Sequence, residues 1–209
     1  MTENEKDFIK FVKTQCRYFG VNLYMSKGSY VKYGSSIKCN GFFRMPPNPK
    51  LAIATGRPKN EWFPIFIHEF AHMLQWCEQD GEWLNNYFGT KEACDILDEW
   101  MAGNRKVNKK LLDEATIKCI DVELGAEKRV IDLIEDFSLD IDKEVYCQRA
   151  NSYVLFYHMV KETGKWYTIG KEPYNIKELW SHFPKDFDYN QYELNPRLRD
   201  LYLKHIFGE

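Results

Sequence analysis

The residues whose types and spacing could do chemistry stand together at His68, Glu69 and His72. Residues four apart on a helix lie on one face, one turn from each other. Two imidazoles so placed can take two corners of a tetrahedral zinc ion. The carboxylate beside the first histidine falls near the open corner. There it can accept a proton from a water whose pKa the zinc has lowered. This is the H-E-x-x-H arrangement, with Glu69 as general base. The competing reading is two core histidines beside a surface glutamate, and each buried polar group on that apolar helix would then need its own partner.

A zinc site of this kind needs a third protein ligand. Over residues 116–137, at about 100° per residue, the polar side is Lys118, Asp121, Gly125, Lys128, Asp132 and Glu135. Glu123 and Glu127 do not join it. They fall one turn apart within the apolar arc between Ile120 and Val130. Two buried carboxylates are costly unless a cation or strong donors meet them. A zinc ion and a zinc-bound histidine would serve, as would snorkelling or a bridge to a basic residue such as Arg149. A donor for the developing oxyanion is also expected. His158 suits that catalytic role, against the more ordinary reading of a hydrogen-bonded core histidine. Tyr153 and Tyr157 read as core, and His182 and His205 as surface or packing residues.

These side chains need elements to carry them. Residues 1–13 form an amphipathic helix with Phe8, Ile9 and Val12. Residues 21–55 hold short apolar or alternating runs at 21–25, 30–33, 37–43 and 51–55, broken by Gly28, Gly34, Gly41 and the Pro46-Pro47-Asn48-Pro49 stretch. They read as three or four short strands in a small antiparallel or mixed sheet. Residues 62–79 read as a helix apolar nearly all round, hence buried. Helix resumes from 91, with a polar connection at 103–110 and a long helix at 111–137. Ser138 or Asp140 caps a further helix at 141–162. The tail mixes Trp166, Tyr167, Tyr174, Trp180, Phe183, Phe187, Tyr189 and Tyr192 with three prolines. It reads as short helices and loops packed over the body, or as the wall of a cleft. The expected fold is α+β in a single domain, 1–209: sheet and motif helix in 1–79, helical body in 80–162, aromatic tail in 163–209.

With 44% hydrophobic and 29% charged residues, the chain is globular. Its net charge of −2 supplies no electrostatic reason to expect nucleic acid or an anionic membrane as partner. The first residues contain no long apolar region, and no run approaches a membrane span, which points to the cytoplasm. Six cysteines are scattered without a C-x-x-C pair. They read as reduced, mostly buried thiols and not as a structural zinc site.

His68-Glu69-x-x-His72 followed by Glu123-Leu124-Gly125-Ala126-Glu127 resembles the gluzincin metallopeptidases, zincins with H-E-x-x-H and then E-x-x-x-D. The resemblance implies a zincin-like fold, one zinc ion, Glu123 as third ligand, and Glu127 hydrogen-bonding a zinc-bound histidine. It also implies that the strand before the motif helix, 51–55, is the edge that docks peptide. The wording HEFAHMLQW with ELGAEKR is similar to small metallopeptidase-like proteins of large bacterial viruses. Fifty residues separate His72 from Glu123, more than in many gluzincins, and Glu127 stands where Asp or Asn is usual. No H-E-x-x-H-x-x-G-x-x-H occurs, which excludes the three-histidine metzincin pattern. The function implied is zinc-dependent hydrolysis of peptide bonds in a peptide or protein substrate. The alternatives are a latent or non-catalytic zinc protein, or a regulatory protease with a single partner.

Overall fold

The computed structural model describes residues 1–34, 37–104, 106–187 and 192–209, so Arg105 and the tail aromatic Tyr189 lie outside the described residues. The chain is mixed α+β, mostly helical with small sheets. It divides into two compact units. The first is Met1–Asp80 with Arg129–Asp140, and the second is Gly81–Lys128 with Ile141–Glu209.

The first unit opens with helix α1 (Glu3–Tyr18), which runs five residues past the expected end at residue 13. Thr2 and Glu5 start it with a reciprocal capping box: Thr2 Oγ1 accepts from the Glu5 N–H and the Glu5 carboxylate accepts from the Thr2 N–H. Its inner face sets Phe8 edge-on against Phe63, Phe66, Phe70 and Phe137.

Five strands follow: β1 (Asn22–Ser26), β2 (Val31–Tyr33), β3 (Ile37–Cys39), β4 (Gly41–Arg44) and β5 (Lys50–Ala54). They form a three-stranded sheet in the order β1-β5-β4 and a separate β2–β3 hairpin. Of the antiparallel and mixed arrangements open to these strands, the sheet takes the mixed one: β1 pairs with β5 in parallel and β4 pairs with it antiparallel. The apolar run 37–43 also divides at Asn40, giving β3 to the hairpin and β4 to the sheet. Leu51 to Ala54 are all fully buried. On one face Ala52 and Ala54 pack with Phe42 and Val31 of the hairpin. On the other, Ile53 and Gly41 meet Ile65 of the following helix. A strand covered on both faces and paired on both sides cannot dock a peptide. The expectation that 51–55 is the edge is therefore overturned, and β4 is the edge strand beside the motif helix.

The β5 strand ends in a tight backbone crossing. Thr55 N–H donates to the Ser26 carbonyl and Gly56 N–H to that of Gly28. A Cβ at Gly56 would lie 2.2 Å from the Lys27 carbonyl oxygen, so only glycine fits there. Helix α2 (Lys59–Glu78) then carries the motif and stops at Gln79, whose φ of 53° is left-handed. Arg129 clamps its end, 2.7 Å from Glu78 and 2.9 Å from Asp80.

The second unit holds α3 (Gly81–Asn85), a small β6–β7 ribbon (Tyr87–Phe88 and Lys91–Glu92) and α4 (Ala93–Met101). Next come α5 (Lys109–Asp136, which passes to the first unit at Arg129), α6 (Lys143–Val154) and α7 (Phe156–Thr163). The expected helix 141–162 is two helices parted at Leu155. Its cap is Asp142, which accepts from the Val145 N–H, and not Ser138 or Asp140. Ser138 instead takes the left-handed conformation just past α5 (φ 47°). Ile96 and Leu97 of α4 pack with Ile120 and Leu124 of α5 and with Val154 and Tyr157. The tail carries α8 (Lys177–Trp180) and α9 (Pro196–Tyr202), and it packs on Phe156, Met159 and Val160 through Leu179, Phe183, Leu198 and Tyr202. Two amides of α6 fasten it: Gln148 donates to the carbonyls of Ser181 and Phe183, and Asn151 to those of Pro184 and Asp186. Among the described residues no helix is long and apolar enough to cross a membrane.

Candidate metal centre

In the first unit, α2 is buried along Phe63, Phe66, Ile67, Phe70, Ala71 and Met73, which fixes its rotation. His68 and His72 leave it from one face. Their rings stand at 84° with centroids 4.6 Å apart, and the two Nε2 atoms are 3.2 Å from each other. Two zinc-bound nitrogens on a tetrahedron with bonds of 2.0–2.1 Å are about 3.3 Å apart. The pair thus matches the spacing of two ligands sharing one ion. His72 Nδ1 lies 2.9 Å from Oε1 of Gln75, a fully buried residue on the same helix. An amide oxygen only accepts, so Nδ1 carries the proton and Nε2 presents its lone pair. The fit to a soft-to-borderline cation with nitrogen ligands is good.

Glu69 points to the sheet, where its Oε2 accepts the Phe43 N–H at 2.8 Å. The Asn40 carbonyl accepts from the Ala54 N–H. By alternation in an antiparallel pair, Asn40, Phe42 and Arg44 turn their polar groups to β5, and Gly41 and Phe43 turn theirs outward. Glu69 is therefore held by an outward-facing amide of the edge strand. Gly41 permits the approach of α2, because a Cβ there would lie 3.0 Å from Ile65 Cγ2 and 2.7 Å from Ile53 Cδ1. Burial, and then the charge of Glu69, push the Cys39 thiol up to about 11.

In the second unit, Glu123 is half-buried on α5, and its Oε1 accepts from the Tyr157 hydroxyl at 2.9 Å. Tyr153 OH is 3.4 Å from Tyr157 OH. Burial first, and then the charge of Glu123, hold both phenols well above their usual range, so they stay donors. Glu127, one turn on and buried, accepts the Tyr146 hydroxyl. Arg149 donates to the Tyr174 carbonyl at 2.8 Å and to Asn175 Oδ1 at 3.1 Å. His158 Nε2 lies 2.9 Å from the Tyr192 carbonyl, so that nitrogen carries a proton and donates it. Burial lowers the pKa of this imidazole. His182 Nδ1 lies 3.3 Å from the Arg197 guanidinium.

Gln75, Phe43 and the Tyr153–Tyr157 pair were not singled out by motif. The tyrosines carried a signal, since two phenols four apart on an apolar helix need polar partners. Gln75 and the Phe43 amide carried none, because a helix glutamine reads as surface and backbone groups have no sequence signature. No protein-family model, curated protein or solved structure matches this chain.

Proposed function

We propose that this chain is a zincin-like metallopeptidase of the gluzincin type, with one zinc ion held by His68, His72 and Glu123. The observation that carries the reading is the 3.2 Å approach of the two histidine Nε2 atoms, with the His72 tautomer set by Gln75. By residue type, the two imidazoles of His68 and His72 and the carboxylate of Glu123 are a ligand set able to hold a metal ion. When bound, zinc supplies Lewis acidity toward water and toward the scissile carbonyl.

The chain's own residues do the rest. Glu69 takes the proton from the attacking water and passes it to the leaving amine nitrogen. The Phe43 N–H fixes the orientation of that carboxylate. The Tyr157 hydroxyl orients Glu123 as a ligand. Since Gln75 already accepts from His72, the histidine left for Glu127 to orient is His68. The substrate is an extended peptide that adds along β4, through the outward N–H and carbonyl of Gly41 and the carbonyl of Phe43, the Phe43 N–H being held by Glu69. His158, whose Nε2–H donates to the Tyr192 carbonyl, holds the tail and has no catalytic part in this reading.

Metal analysis together with a peptide-library screen tests the proposal. Wild type and Glu69→Gln should each carry one zinc per chain, and His72→Ala none. Hydrolysis should fall by about 10²–10⁴ in Glu69→Gln. A full equivalent of zinc in His72→Ala rejects the site. Zinc without any cleavage by wild type rejects the peptidase and leaves a structural zinc protein.

A further inference from the structure

Residues 21–58 contain six lysines and arginines and no aspartate or glutamate, leaving 23 basic against 31 acidic residues elsewhere. The near-neutral total conceals this segregation, and it was the total that argued against a nucleic-acid partner. Arg57 is neutralised by Glu61 at 2.8 Å, and Arg44 donates to the Asn48 carbonyl. Lys27, Lys32, Lys38 and Lys50 have no carboxylate partner among the described residues.

The hairpin arranges two of them, and β5 carries a third, Lys50. Val31 packs with Phe42 and Ala52, and the Tyr33 ring is 5.1 Å from that of Phe42, so these two side chains turn to the sheet. By alternation Tyr30 and Lys32, with Lys38 opposite, turn to solvent. Lys32 and Lys38 are register partners. Like charges directly opposite, about 5 Å apart at Cβ, destabilise a hairpin, and among the described residues no carboxylate offsets them. The Lys38 ammonium lies 4.5 Å over the Tyr30 ring, and that of Lys50 lies 4.5 Å over the Tyr24 ring. Both rings are open to solvent, at 42% and 48% exposed.

Lys50 also lies 6.0 Å over the Phe42 ring, against which the hairpin's Tyr33 packs, so the Tyr24–Lys50 pair flanks the hairpin. We propose that the outward side of the hairpin and this flanking pair bind single-stranded nucleic acid, with phosphates on Lys32, Lys38 and Lys50 and unpaired bases against Tyr24 and Tyr30. The lysines alone would suit any polyanion. The exposed rings, each with a cation on its face, decide for a polyanion that also brings planar groups. An acidic polypeptide gives the rings no partner, and a duplex hides its base faces. This inference is independent of the zinc site.

Fluorescence anisotropy of a labelled oligothymidylate with the full chain, across a salt series, is the test. Binding should weaken with salt at a log–log slope of about −2, from about −0.7 for each of three phosphates. The Lys32→Ala/Lys38→Ala double variant should remove about 1.4 from the magnitude of that slope. Tyr24→Ala and Tyr30→Ala should each weaken binding about 5–100-fold and leave the slope unchanged. Removing a repulsive pair should not lower the melting temperature. If the double variant still fails to fold, Lys50→Ala serves instead, with a slope change of about 0.7. Absence of binding at the lowest salt overturns the proposal. So does equal competition by polyglutamate with no effect of the tyrosine variants, which would identify an acidic polypeptide. Equal affinity for duplex, or capture only by phosphatidylserine vesicles, also overturns it.

Discussion

His72 Nδ1 meets the Oε1 of Gln75 at 2.9 Å, one helical turn further along a buried helix. The bond fixes which imidazole nitrogen is protonated before any ligand arrives. Gln75→Leu should lower zinc affinity about 10–100-fold, while Gln75→Glu, which keeps an acceptor, should retain it. Imidazole ¹⁵N spectra of the zinc-free protein read the same bond without metal or activity. The Nδ1–H tautomer of His72 should dominate in wild type and be lost in Gln75→Leu. If the spectra and the affinity are both unchanged by the leucine, Gln75 is only packing.

The two acids of α5 should separate under substitution. Glu123→Ala should strip zinc, and Glu127→Ala should weaken it about 10–100-fold. Tyr157→Phe removes the donor to Glu123 Oε1 and should lie between wild type and Glu123→Ala. Zinc titration with a competing chelator ranks all three. Loss of metal in Glu127→Ala, with retention in Glu123→Ala, would reverse the two roles.

Acid stability should depend on Glu5, which is buried and paired with Lys59 at 2.6 Å. Burial works to raise its pKa, but the Lys59 bond, the Thr2 N–H and the Lys59 charge together bring it below the usual value. A carboxylate lowered on folding stabilises the protein above its unfolded pKa, about 4.3. That contribution is lost as pH falls through the lower folded value. Lys59→Met should therefore cost about 1–3 kcal/mol at neutral pH, and the cost should shrink toward zero in acid. Urea melts across pH measure it, and a pH-independent cost would contradict the account.

The sequence made some of this legible and hid the rest for physical reasons. His68, Glu69 and His72 were readable because helix periodicity alone sets them on one turn. Glu123 and Glu127 stood out because charge sat within an apolar arc. The edge strand was misjudged although a signal existed. Leu51-Ala52-Ile53-Ala54 does not alternate, and an unbroken apolar run marks a strand covered on both faces. The parting of α6 from α7 at Leu155 has no glycine or proline to announce it. The cap at Asp142 competed with two oxygen-bearing residues upstream, and the bond from the Val145 N–H to the Asp142 carboxylate identifies it. The charge segregation was present in the letters but vanished in the total.

The crossing at Gly56 bears on how relatives of this chain could be recognised. What obstructs a side chain there is main-chain atoms of Lys27 and Gly28, which cannot move aside as a flexible side chain would. Drift can replace almost every neighbour, but not this residue without parting β1 from the end of β5. A homologue diverged beyond alignment should still keep a glycine a few residues ahead of its H-E-x-x-H helix, and its loss would mark a chain whose sheet is built differently.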